Sequence, residues 1–145
     1  MRSRDRLRTL RGTVKFPART GGDPPNTGRR ALILDDGRIN IGYRIVQFRI
    51  WNADITGFDD AFAAQAHLSM SLDITSALSD ASDNREIAWA GFNTGTGYGI
   101  DQFHLVDPDH IVVRDLNLIL PSVSNSNESR VNYYILMEEY DITDQ

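Results

Sequence analysis

Cysteine is absent from this 145-residue chain, so a disulfide framework, a thiolate metal site and a cysteine nucleophile are all excluded. Long hydrophobic runs are missing too. Met1-Arg2-Ser3-Arg4 opens like the charged start of a signal peptide, but no apolar run of about seven residues follows it, and nothing approaches the roughly twenty that span a bilayer. A soluble chain with no signal peptide, no transmembrane segment and no membrane partner is expected. Helical periodicity is scarce: only residues 52–62 read as helical, which argues against a parallel α/β sheet. No repeat recurs at a fixed period, which argues against propellers and solenoids.

What the chain does have is a split charge. Nine of its fifteen Lys and Arg residues lie in the first thirty positions: Arg2, Arg4, Arg6, Arg8, Arg11, Lys15, Arg19, Arg29 and Arg30, against only Asp5 and Asp23. Residues 31–145 carry six bases against eighteen acids, which brings the chain to a net charge of −5. A basic leader before an acidic body points to an anionic partner: nucleic acid, a membrane surface or the acidic face of a neighbouring subunit. Residues 1–11 hold nothing that builds a core and are expected to be disordered alone. Residues 17–28 are dense in turn formers and read as a linker or long surface loop. The expected organisation is a basic N-terminal arm with its Pro/Gly linker over residues 1–30, then one β-sandwich domain over residues 31–145.

The body reads as strands. Residues 31–34, the turn Asp35-Asp36-Gly37 and the run from Arg38 give a hairpin signal. Ile39, Ile41, Tyr43 and Ile45 share one face, then the apolar register moves to Val46, Phe48 and Ile50, which predicts a β-bulge near Ile45-Val46 or a strand passing between sheets. Residues 64–75 alternate most clearly, with Ala66, Leu68, Met70, Leu72 and Ile74 inward and Gln65, His67 and Ser69 outward. Further strands are expected over residues 12–16, 86–93, 100–106, 111–120 and 131–142. The expected fold is an all-β, antiparallel, two-sheet sandwich of about eight strands, jelly-roll-like, with an extended basic N-terminal arm, and a closed barrel is the runner-up.

Catalytic constellations are hard to assemble. His67, His104 and His110 lack the spacing of a metal site, and exposed or loop histidines are the preferred reading. Asp107-Pro108-Asp109 reads as a turn before it reads as a calcium loop. Gly95-Thr96-Gly97-Tyr98-Gly99 lacks the Lys and the helix of a phosphate loop. Glu138 and Glu139 are adjacent on a strand, so they face opposite ways and cannot act together on one bond. No enzyme, cofactor or metal is expected. Trp51, Trp89, Tyr98, Tyr133, Tyr134 and Tyr140 offer rings for stacking sugars or bases; Trp89 and Tyr133 run in phase with Ile87 and Ile135, which favours burial, and Tyr98 on its Gly-rich turn is the candidate exposed ring.

The strongest functional signal is the leader. Arg2, Arg4, Arg6, Arg8, Arg11, Lys15 and Arg19 are the candidate contacts to a polyanion or to a neighbouring subunit, and Tyr98 and Asn93 the candidate exposed ligand contacts. A basic arm, a Pro/Gly linker and an eight-strand sandwich whose last strand is Val131-Asn132-Tyr133-Tyr134-Ile135-Leu136-Met137-Glu138-Glu139-Tyr140-Asp141-Ile142 resembles, in layout, the small viral and phage virion structural proteins of the jelly-roll capsid type. The resemblance implies a virion subunit assembled in a host cytoplasm, with a homo-oligomer or other virion proteins as partners and non-specific nucleic-acid contact through the arm. The short body and modest arm leave a minor, cementing or tail-associated role open beside the main shell subunit. The alternative is a non-catalytic carbohydrate- or receptor-binding sandwich using Tyr98, Asn93 and the loop over residues 122–129.

Overall fold

Period-two alternation becomes strands throughout, and the computed structural model describes residues 2–19, 22–34, 40–53, 62–70, 79–93, 101–113, 115–125 and 128–142. Among them the regular elements are β1 (Arg2–Phe16), β2 (Asn26–Ile33), β3 (Ile41–Asn52), β4 (Ala63–Ser69), β5 (Glu86–Asn93), β6 (Asp101–Val106), β7 (Asp115–Ser124) and β8 (Ser129–Asp141). They form two antiparallel sheets ordered β1-β8-β3 and β2-β7-β4-β5-β6. The pairing is nested. β1 bonds β8, β2 bonds β7 and β4 bonds β5, while β3 lies against β6. Three of the nested pairs are hydrogen-bonded, whereas β6 bonds β5 and not β3, and the architecture is an all-β sandwich of two antiparallel sheets. No helix among the described residues is long and apolar enough to cross a membrane.

Alternation explains which faces meet. Along β8, Val131, Tyr133, Ile135, Met137 and Glu139 are buried, whereas Asn132, Tyr134, Leu136, Glu138 and Tyr140 lie on the other face. Phe48 and Ile50 of β3 join Leu68 of β4, Phe92 of β5 and Leu116, Leu118 and Leu120 of β7 in one core cluster. Each such aliphatic or aromatic side chain stabilises the fold by roughly 1.5–3 kcal/mol on leaving water. The bulge expected in β3 is present: its pairing with β8 shifts between Ile45 and Gln47. Ile41, Tyr43, Ile45, Phe48 and Ile50 thereby all face the core, and Val46, inward by simple alternation with Phe48 and Ile50, is the ejected residue at 45% exposure.

Pro121, expected to end its strand, lies inside β7. The β7 ladder shifts there on both sides, between Gln65 and His67 of β4 and between Asn26 and Gly28 of β2. A bulge is a place where a missing N–H breaks no ladder bond, so proline is tolerated in an otherwise central strand. Residues 111–113, expected to begin that strand, precede it, and Val112 instead bridges to Tyr43 with two backbone bonds of 2.7 Å.

Three further expectations are corrected. The leader is not an arm outside the sandwich: Arg2–Phe16 is strand β1, paired along β8 of the same chain and breaking step between Ser3 and Leu7, where Asp5 takes φ 55°. Its own alternation carries this, because Arg8, Leu10, Gly12 and Val14 turn toward the sandwich while Thr9, Arg11 and Thr13 turn away, and β8 supplies both a ladder and carboxylates. The hairpin read around Asp35-Asp36-Gly37 does not form as such, since β2 and β3 belong to different sheets; a local turn signal cannot distinguish a hairpin from an arch between sheets. Finally, β4 ends at Ser69, and Met70, expected inward, is exposed at 38%. Residues 71–78, most of the stretch that reads as helical and the Asp35-Asp36-Gly37 turn itself lie outside the described residues.

Candidate functional site

The leader cations divide by partner. Arg4 donates to Asp141 at 2.8 Å and lies 3.6 Å from Glu139. Arg8 donates to the Leu34 carbonyl at 3.0 Å and to the Tyr43 hydroxyl at 2.9 Å. Lys15 pairs with Glu128 at 3.2 Å, and Arg19 donates to the carbonyls of Asn125 and Asp23 at 3.1 and 2.8 Å. The acidic body does receive the leader, but within the same chain. Arg2 is opposite Asp141 in the ladder. Arg6 and Arg11 are exposed, with no ion pair to either among the described residues.

Of the two candidate ligand residues, Tyr98 lies outside the described residues and Asn93 is exposed at the end of β5. Asn93 borders a groove of about 370 Å³ lined by Ala63, Gln65, Asn93, Phe103, Ser122 and Ser124 together with Ala64 and Phe92. Strand register builds it: Ser124, Ala63, Asn93 form one row across β7, β4 and β5, and Ser122, Gln65, Gly91 and Phe103 the next across four strands. Gly91 is required there, because a Cβ would collide with the Phe103 ring lying on it. The groove thus combines an exposed ring, two amides and two hydroxyls. Sequence reasoning finds Asn93 and the serines but misses Gln65 and Phe103; an interior strand glycine is the available signal, without its partner strand. Asn125 of the expected polar loop is buried and structural, donating to the Pro17 carbonyl at 3.0 Å and accepting from Asn26 at 2.9 Å.

The histidines do not meet. His67 is on the outer face of the five-stranded sheet, His104 is exposed on the opposite face at β6, and His110 lies 3.0 Å from Asp107 in the following turn. Among the described residues no group of three metal-ligating side chains forms. Asp107 behaves as a turn residue, accepting from the Asp109 N–H at 3.0 Å. Residues 94–100, with the Gly-rich turn, lie outside the described residues.

His67 is nevertheless buried. Ser79 Oγ approaches its Nδ1 at 3.0 Å and Glu86 Oε1 approaches the same nitrogen at 3.6 Å. Glu86 also accepts from the Trp89 indole at 3.0 Å and from the Asp80 N–H at 3.0 and 3.1 Å. A hydroxyl and a carboxylate on one ring nitrogen do not form a nucleophile relay, which needs them on opposite nitrogens. Burial pushes the His67 pKa down, against the attraction of Glu86 and Asp83. Trp89, expected inward, is on this outer face and half-buried, whereas Tyr133 is core. Glu138 and Glu139 face opposite ways as expected: Glu139 toward Arg4, Glu138 toward Arg44 at 2.9 Å. No protein-family model, curated protein or solved structure matches the chain.

Proposed function

We propose that this chain is a non-catalytic structural subunit of a larger assembly, a virion or comparable shell, which joins its neighbours through the edges of its sandwich. The observation that carries the reading is β6. It is the terminal strand of the five-stranded sheet, and it presents Phe103 and Leu105 at 45% and 63% exposure. An open edge with large apolar side chains is an aggregation hazard on a free monomer, and a neighbouring chain that pairs with it removes the hazard. The nested strand order supports the same reading by its likeness to jelly-roll capsid layouts. Because Arg4, Arg8, Lys15 and Arg19 have partners in their own chain, strand edges rather than an arm make the contacts.

Light scattering on the full-length chain at low and high salt tests this. A defined oligomer or shell that Leu105→Lys reduces to monomer is the expected result. A monomer at both salts would overturn it.

One observation favours a second reading, a carbohydrate-binding module. The groove at Asn93, Gln65, Ser122, Ser124 and Phe103 has no charged side chain among its described lining residues. A ring for the apolar face of a sugar, with amides and hydroxyls for its hydroxyl groups, suits a neutral polyol. A glycan screen repeated with Asn93→Ala separates this from assembly, since that change keeps the exposed Phe103 and Leu105 of β6.

A further inference from the structure

The outer face of the β1-β8-β3 sheet carries a cationic and aromatic patch that neither reading uses. On β8 the inward residues are Val131, Tyr133 and Ile135, so Tyr134 points outward, and the ladder sets Arg11 of β1 and Arg49 of β3 directly on either side of it. Two inter-strand spacings put these arginines about 10 Å apart at their backbones, with the ring between them. Trp51, 38% exposed, pairs with Asn132 and is therefore a diagonal neighbour of Tyr134, within reach of it on the same face. Arg130 lies opposite Lys15 at the same end. With its amide oxygen toward Arg49, Gln47 accepts from Nε and Nη2 at 2.7 and 3.1 Å and holds that guanidinium in place.

The charge here opposes that of the whole molecule. The chain carries −5. This end of the sheet gathers Arg11, Arg49, Arg130 and Lys15 around two rings, and the one carboxylate that meets them among the described residues is Glu128, in an exposed pair with Lys15. No ion pair to Arg11, Arg49 or Arg130 forms among the described residues. Farther along the same face Arg44 is paired with Glu138 and lies over the Tyr140 ring, so that cation is already partnered within the chain.

We propose that this face binds single-stranded nucleic acid, with bases stacking on Tyr134 and Trp51 and phosphates held by Arg11, Arg49 and Arg130. Duplexes and acidic proteins would engage the cations alone. Only unpaired bases offer π faces to rings on a flat sheet, and that combination of stacking with backbone charge defines sequence-tolerant single-strand binding. The site holds for a monomer as for an assembled subunit, so it stands or falls separately from the assembly reading.

The test is fluorescence anisotropy of labelled oligo(dT) with the full-length chain across a salt series. Arg11→Gln with Arg49→Gln is expected to weaken binding about tenfold or more at low salt and to reduce the log–log salt slope by about 1.4, roughly 0.7 for each phosphate no longer neutralised. Tyr134→Leu is expected to weaken binding about tenfold with the slope unchanged. Trp51→Leu, at an exposed position, serves as the second stacking variant if Tyr134→Leu unfolds. Arg49→Gln alone is expected to weaken binding severalfold, and Arg6→Gln, equal to it in charge change but outside the patch, is expected to leave affinity within about twofold. Equal affinity for a duplex of the same length, equal competition by polyglutamate, or an Arg6→Gln loss as large as that of Arg49→Gln would each overturn the proposal. So would an absence of binding at low salt.

Discussion

Arg8 Nη1 donates to the hydroxyl of Tyr43 at 2.9 Å, and the guanidinium carbon lies 5.3 Å from that ring's centroid. The same nitrogen donates to the Leu34 carbonyl at 3.0 Å, so one leader arginine ties β1 to β3 and to the end of β2 in the opposite sheet. Charge pattern alone makes Arg8 a contact for a partner; packing makes it a cross-link.

Removing that donor leaves a buried hydroxyl and a carbonyl without it, a loss of about 1–3 kcal/mol. Arg8→Met keeps the stem and is expected to show this in urea unfolding, whereas Arg6→Met at an exposed position is expected to stay within about 0.5 kcal/mol. Tyr43→Phe added to Arg8→Met is expected to cost less than the two changes taken singly, because both ends of the bond are gone. Equal midpoints for Arg8→Met and Arg6→Met would remove the cross-link from the account.

Stability is expected to fall on mild acidification through His67. Its pKa is lowered by burial, so the unfolded chain binds the proton more readily than the folded one. The contribution is complete above the unfolded value near 6.5 and declines as pH drops from there toward the lower folded value. Urea midpoints measured from pH 7.5 down to 5.5 should decline, and His67→Gln should flatten that decline. Asp83, held down to about 2 chiefly by its hydrogen bonds from Arg85, acts in a separate window: its contribution is present above the ordinary 3.8 and is lost as pH falls toward 2. A slope between pH 7.5 and 5.5 that persists in His67→Gln would assign it to other groups.

The strands were legible because the side-chain period is two: the bulge at Val46, the outward Gln65 and His67 and the closing strand β8 all follow from alternation. Strand partners were not. Nothing local says that β1 pairs β8 or that β2 and β3 part into different sheets, and that long-range pairing decides the fate of the leader cations. The groove was half-legible for the same reason. Asn93 stood out as a polar residue ending a strand, but Phe103 joins it only through the β5-β6 register over Gly91. Pro121 misled because its bulge exists only in relation to both neighbouring strands.

Core and bulge positions should respond oppositely to truncation. Leu118, 1% exposed in β7 between β2 and β4, is enclosed on every side, and Leu118→Ala is expected to cost about 2–5 kcal/mol. Val46, ejected from β3 at 45% exposure, should lose under about 0.5 kcal/mol on mutation to Thr. Chemical denaturation of both variants checks the assignment. A large loss at Val46 would mean that it faces the core and that the register shift lies elsewhere.

The groove makes its own prediction through Gly91 and Phe103. The ring rests on the space a Cβ would occupy, and it is 45% exposed. Phe103→Ala should therefore change stability by less than about 1 kcal/mol, far below the roughly 3–5 kcal/mol of a core aromatic, yet strip the groove of its stacking surface. Gly91→Ala keeps the ring but pushes it off the β5 backbone. If the groove takes sugars, both variants lose glycan binding while unfolding cooperatively like the parent. Loss of binding in Phe103→Ala with full retention in Gly91→Ala would mean that the ring is needed but its seat on β5 is not. Retention in both would leave the groove a packing defect between β4, β5 and β7.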